Sequence, residues 1–166
     1  FAVGDGNHSL AAAKACWEEI KRGLTPEETV VHPARFAMVE LENIHDDALR
    51  MEPIHRVLFG CDGDDLLDEI AAFAAAKGAT LAAGPQAQEI AVVYEGKEVT
   101  LSIEGSPYKL AVGTLQAFLD GWLSAHPQAR LDYIHGEDTV RTLVAGEGAV
   151  GFLLPTPERD RLFDTI

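Results

Sequence analysis

The chain has 166 residues, 47% hydrophobic and 24% charged, and 27 acidic against 13 basic residues give a formal net charge of -14. That length can bury one core without a metal or disulfide staple, and no apolar run approaches the roughly 20 residues of a membrane helix. A strongly acidic balance argues against nucleic acid as a partner, because a phosphate backbone is gripped by clustered Lys and Arg; the acids read instead as a solvated surface.

Phe1-Ala2-Val3 reads as the end of a buried strand, from which we expect the chain to be an interior piece of a longer protein. Cys16 and Cys61 belong to no close Cys pair and suggest a reducing, cytoplasmic setting. After the loop Gly4-Asp5-Gly6-Asn7-His8-Ser9, the spacing of Ala13, Cys16, Trp17, Ile20 and Leu24 predicts a helix over 9–22 capped by Ser9. Thr25-Pro26-Glu27-Glu28 has the form of a capping box with Pro at the first helical position. Residues 34–44 are apolar-rich, with Val39 and Leu41 alternating against Glu40 and Glu42. They predict a strand that pairs as a hairpin with a second strand over 54–59. Asp62 caps a predicted helix that carries Leu66, Leu67, Ile70 and Phe73 and ends at Gly78.

Residues 90–94 and 99–103 flank Glu95-Gly96-Lys97-Glu98 as a predicted hairpin. Leu115, Phe118, Leu119 and Trp122 mark a helix stopped near Pro127. Then follow a short strand over 131–134, a helix over 137–145, a strand over 149–154 and a last helix from Glu158. The expected architecture is α+β, with a mixed or antiparallel sheet and helices packed on one face. It forms a single unit over 1–166, with a lobe boundary near 84–88 where Gly84-Pro85-Gln86 interrupts the pattern.

The opening loop is the leading candidate site. A Gly-Asp-Gly turn feeding a helix aims backbone N–H groups and the positive end of the helix dipole at one point, which suits an anion such as phosphate. Gly4 and Gly6 allow close backbone approach, Ser9 offers a hydroxyl, and His8 can exchange a proton near neutral pH. Asp5 and His8 are the catalytic candidates. Gly4, Gly6, Asn7, Ser9, His55, Arg56 and His135 are the ligand-binding candidates.

Gly4-Asp5-Gly6-Asn7-His8-Ser9-Leu10 resembles the Asp-Gly-His-His-Arg-Tyr signature of the domain-of-unknown-function 1015 family. Glu52-Pro53-Ile54-His55-Arg56-Val57, Tyr133-Ile134-His135-Gly136 and Gly148-Ala149-Val150-Gly151-Phe152 resemble its later blocks, so the likeness spans essentially the whole chain. The signature loop is in turn similar to the phosphate-binding loop of the ParB and sulfiredoxin superfamily, which includes a free-serine kinase. This resemblance implies a ParB-like element at the N-terminal end, with Asp5, Gly6, Asn7 and His8 facing the ligand and a nucleotide with magnesium as the guest. Ser9 departs from the pattern by standing where the family has Arg, and a hydroxyl cannot replace a bidentate charged fork.

His55 and Arg56 are neighbours in a predicted strand and should point to opposite faces. His135 ends a strand before a predicted helix and is either a site residue or that helix's cap. A metal site would gather Asp5, His8, His55 and His135, although no tight ligand spacing supports it. Asp62-Gly63-Asp64-Asp65 is not a calcium loop, because Leu66 and Leu67 occupy ligand positions. The residues together favour a phosphate- or nucleotide-binding domain, a small-molecule phosphotransferase remnant. The alternatives are a non-catalytic binding or scaffold module and a metal-dependent hydrolase using the histidines.

Overall fold

Helix-start chemistry in the sequence translates directly into structure in the computed structural model, which describes residues 3–157 and Arg159. The expected strand end at Phe1-Ala2 and the helix from Glu158 lie outside the described residues. Residues up to Leu49 form one unit and those from Arg50 onward a second.

The first unit holds α1 (Asn7–Lys21), α2 (Pro26–Val31) and a 3-10 turn at Pro33–Arg35. Helix α1 starts two residues before the expected Ser9 cap. Its N-cap is Gly6, whose φ of 81° is a left-handed conformation that glycine adopts without strain. The capping box before α2 forms as expected, the Glu28 N–H donating to Thr25 Oγ1 at 3.3 Å and the Thr25 N–H to Glu28 Oε2 at 2.9 Å. Trp17 stacks on His32 at 5.8 Å. The strand expected over 34–44 does not form: residues 36–43 pair with no described strand, and Val39 and Leu41 are 69% and 73% exposed. Alternation marks a chain that can lie on a sheet, but a strand also needs a ladder partner for its backbone groups.

The second unit is a six-stranded antiparallel sheet. Its strands are β1 (Ile54–Phe59), β2 (Thr80–Leu81), β3 (Gln88–Tyr94), β4 (Lys97–Glu104), β5 (Arg130–His135) and β6 (Ala149–Leu153), in the order β2-β4-β3-β6-β1-β5. The helices α3 (Gly63–Ala76), α4 (Ala111–Ala125) and α5 (Glu137–Leu143) complete it. The expected hairpin between 34–44 and β1 is replaced by pairing of β1 with β5 and β6, both distant in sequence. The β3–β4 hairpin forms with a tighter turn than expected, through Glu95 and Gly96 alone. Both have positive φ, the geometry that matches the twist of paired strands. The 84–88 connection lies within the second unit and joins β2 to β3.

Asp62 caps α3 by accepting from the Asp64 and Asp65 amides, and Gly78 follows it at φ 78°. Leu66, Ile70 and Ala74 of α3 and Leu115, Phe118, Leu119 and Trp122 of α4 pack on Leu58, Ile90, Val92, Val150 and Phe152 of the sheet. On the opposite face α5 presses Val140 and Val144 onto Val57, Val93 and Leu153. Two helices therefore cover one face, as expected, while α5 covers the other. Phe152 and Leu58 are fully buried, and each contributes about 1.5–3 kcal/mol by leaving water.

Gly151 marks where α5 meets the sheet. A Cβ there would lie 2.8 Å from Val93 Cγ2 and closer still to Val140 Cγ1. Gly151→Ala should therefore lower stability by about 1–3 kcal/mol in urea denaturation. An unchanged midpoint would show that α5 does not press on β6.

Candidate functional site

The opening loop lies in the first unit. The Gly6 N–H donates to Asp5 Oδ1 at 2.7 Å, and Asn7 Nδ2 donates to the Val3 carbonyl at 3.4 Å. The first intrahelical bond of α1 runs from the Leu10 N–H to the Gly6 carbonyl at 2.9 Å, so the amides of Asn7, His8 and Ser9 precede the ladder. No side chain caps this end and its first turn carries no acid. Ser9 is the third residue of the helix, and its side chain is exposed with those of Asn7 and His8. The turn thus presents three N–H donors to solvent, with one carboxylate, Asp5, bonded to the amide just before them.

His55, Arg56 and His135 lie in the second unit and do not share one face. The register sets His55 opposite Ile134 and Ile54 opposite His135, so His135 is on the Arg56 side of the sheet and His55 on the α5 side. His55 is only 2% exposed, and its Nδ1 accepts from the Leu154 N–H at 3.1 Å. Burial holds its pKa below the usual histidine value, with Glu137 pulling the other way and Arg56 and His135 adding to the decrease. His135 is exposed and does not cap α5, whose N-cap is Gly136 with no side-chain bond.

Arg56 is 8% exposed. Its Nε donates to Gln116 Oε1 at 3.3 Å, its Nη1 donates to the Ile54 carbonyl at 2.5 Å, and its guanidinium lies 4.2 Å from the centre of the Tyr133 ring. Burial makes its proton easier to lose than in an exposed arginine, and Tyr133 partly offsets that. Arg56 lines a groove of about 980 Å³ between the start of β1, the end of β6, the loop before α4 and the connection before β3.

A polar chain centred on the buried Thr114, not foreseen from the sequence, ties together Gln88, Ser106 and Tyr108 in the wall of this groove. The Thr114 hydroxyl donates to Gln88 Oε1 at 2.5 Å and lies 2.7 Å from Ser106 Oγ, while Gln88 Nε2 donates to the Tyr108 carbonyl at 2.6 Å. Ser106, Thr114 and Gln88 come from β4's exit, α4 and β3, so no spacing in the sequence announces them. No group of three or more His, Cys, Asp or Glu among the described residues is placed to hold a metal ion. The Cys61 thiol is half-buried and pushed up to about 11, first by burial and then by Asp62 and Glu69, which leaves it protonated and unreactive at neutral pH. Among the described residues no helix is long and apolar enough to cross a membrane.

Because the native state needs an unprotonated His55 Nδ1 to accept from Leu154, the contribution of this group to stability is complete above its unfolded pKa of about 6.5. It is lost as pH falls through the lower folded-state pKa. Urea midpoints should drop between about pH 7 and pH 5 more steeply for the native sequence than for His55→Gln. Equal slopes would mean that His55 is not held neutral.

The model of the family described as Protein of unknown function (DUF1015) matches residues 1–122, which include the opening loop, His55, Arg56 and most of the groove. No curated protein and no solved structure matches.

Proposed function

The chain belongs to the family described as Protein of unknown function (DUF1015), and within it we propose that the chain binds a phosphate-bearing small molecule at the opening loop. The observation that carries this reading is the uncapped N-terminus of α1, whose first turn carries no acid and where the amides of Asn7, His8 and Ser9 follow a left-handed Gly6. The likeness of the loop to ParB and sulfiredoxin phosphate loops supplies the ligand class. Asp5 offers one carboxylate, the number of protein ligands magnesium commonly takes when phosphates and water complete its shell, so a nucleotide with magnesium fits the same turn.

Binding is favoured over phosphoryl transfer. A partner that orients the base would strengthen a catalytic reading, and among the described residues neither His8 nor Asp5 is hydrogen-bonded to a second titratable side chain. The unpaired thiols of Cys16 and Cys61 support a reducing, cytoplasmic setting.

Affinity should be modest. A helix N-terminus contributes only about 0.3–1 kcal/mol to a bound anion. A bond from the Ser9 hydroxyl to an ionised phosphate adds about 1.5–3 kcal/mol, but Ser9 cannot make the bidentate ion pair of an arginine. Titration with inorganic phosphate and with ADP, each with and without magnesium, should shift the amide resonances of residues 6–9 saturably. Ser9→Arg should tighten binding at least about tenfold. If no arm moves these resonances, in either protein, the loop is only a turn.

A further inference from the structure

We propose that the groove beside the N-terminus of α4 is a separate binding site for a small carboxylate with an apolar body, its anionic end held by Arg56. The charge of Arg56 supplies the first reason. The residue is 8% exposed, yet its acceptors are neutral: Gln116 Oε1 and the carbonyls of Ile54 and His55. Among the described residues no carboxylate lies within ion-pair distance, and Nη2 makes no hydrogen bond to a described residue. A buried cation without a counter-ion is costly, and a bound carboxylate would offset that cost while taking the free donor of the guanidinium fork.

Helix α4 supplies the second reason. Its N-cap is Leu110, which offers no side-chain acceptor, and its first turn carries no acid although the helix runs for 15 residues. Ala111 and Val112 open that helix and line the same groove as Arg56. Two sources of positive potential thus border one cavity, one a side chain and one a backbone.

The rest of the lining defines the ligand. Ile54, Val112, Leu154 and Pro155 form apolar walls for its body. Glu52, Glu89, Glu104 and Lys109 also line the groove; the three carboxylates repel every anion, a multiply charged phosphate more than a single carboxylate, so Arg56 and the α4 amides have to outweigh them. This site lies in the second unit, so its success or failure is independent of the opening loop.

The test is an NMR titration of the whole chain with hexanoate, with phenylacetate and with inorganic phosphate, following the Arg56 side-chain Nε–H and the amides of Ala111 and Val112. Saturable shifts with the carboxylates are expected. Arg56→Met, which keeps the bulk and removes the charge, should weaken them at least about tenfold. Leu110→Asp places a capping carboxylate on the same amides; it should preserve the helix and also weaken binding. Arg56→Met is buried, so if it fails to fold, Leu110→Asp decides. No saturable shift with either carboxylate would overturn the proposal. So would shifts with phosphate alone, or unweakened hexanoate binding in a folded Leu110→Asp protein.

Discussion

Strand β6 is buried at every position, and the second unit is organised around the need to cover it on both sides. Its even-numbered residues Val150 and Phe152 face α3 and α4, while Ala149 and Leu153 face α5. A strand apolar on both faces cannot stand at an edge or face water, so it lies between β1 and β3 with helices above and below. The close approach of α5 is what confines position 151 to glycine. The same arrangement places β5 and β6 on opposite sides of β1, with α5 crossing between them. Once β6 is covered, the position of β5 at the sheet edge follows.

This layering gives two adjacent residues of β1 opposite electrostatic environments. His55 turns toward the α5 face and is held neutral by burial, with the Leu154 amide donating to its ring. Arg56 turns toward the α4 face and keeps its charge at the wall of a groove. Strand alternation alone separates them. A buried histidine and a groove-lining arginine can therefore sit side by side on opposite faces, the charge of Arg56 adding to the lowering of the His55 pKa.

The first unit rests on different physics. Its helices bury no residue completely, so local terms carry more of the weight: the Thr25–Glu28 capping box, the Pro at the start of α2 and the stacking of Trp17 on His32. Short helices stabilised mainly by such terms are marginal. The uncapped start of α1 stands out against the well-capped start of α2. It leaves amide donors where the neighbouring helix has used them, which is why the loop is read as a site.

Local rules in the sequence determined the α+β class, the membership signalled by the opening signature, the caps of α2 and α3, the β3–β4 hairpin and the opposed directions of His55 and Arg56. Each depends on residues within a few positions of one another, where backbone sterics, capping bonds and side-chain periodicity act. Only the tertiary structure decided that 36–43 finds no strand partner among the described residues, that β1 pairs with β5 and β6, and that α5 takes the far face of the sheet. It also decided that Gln88, Ser106 and Arg56 line one groove, with the buried Thr114 bonded to the first two. These outcomes depend on which distant surfaces can bury one another and on where a backbone ladder can close, and no local pattern encodes either. The opening loop was therefore legible from its own residues, while the groove became visible only when four separate stretches of chain met.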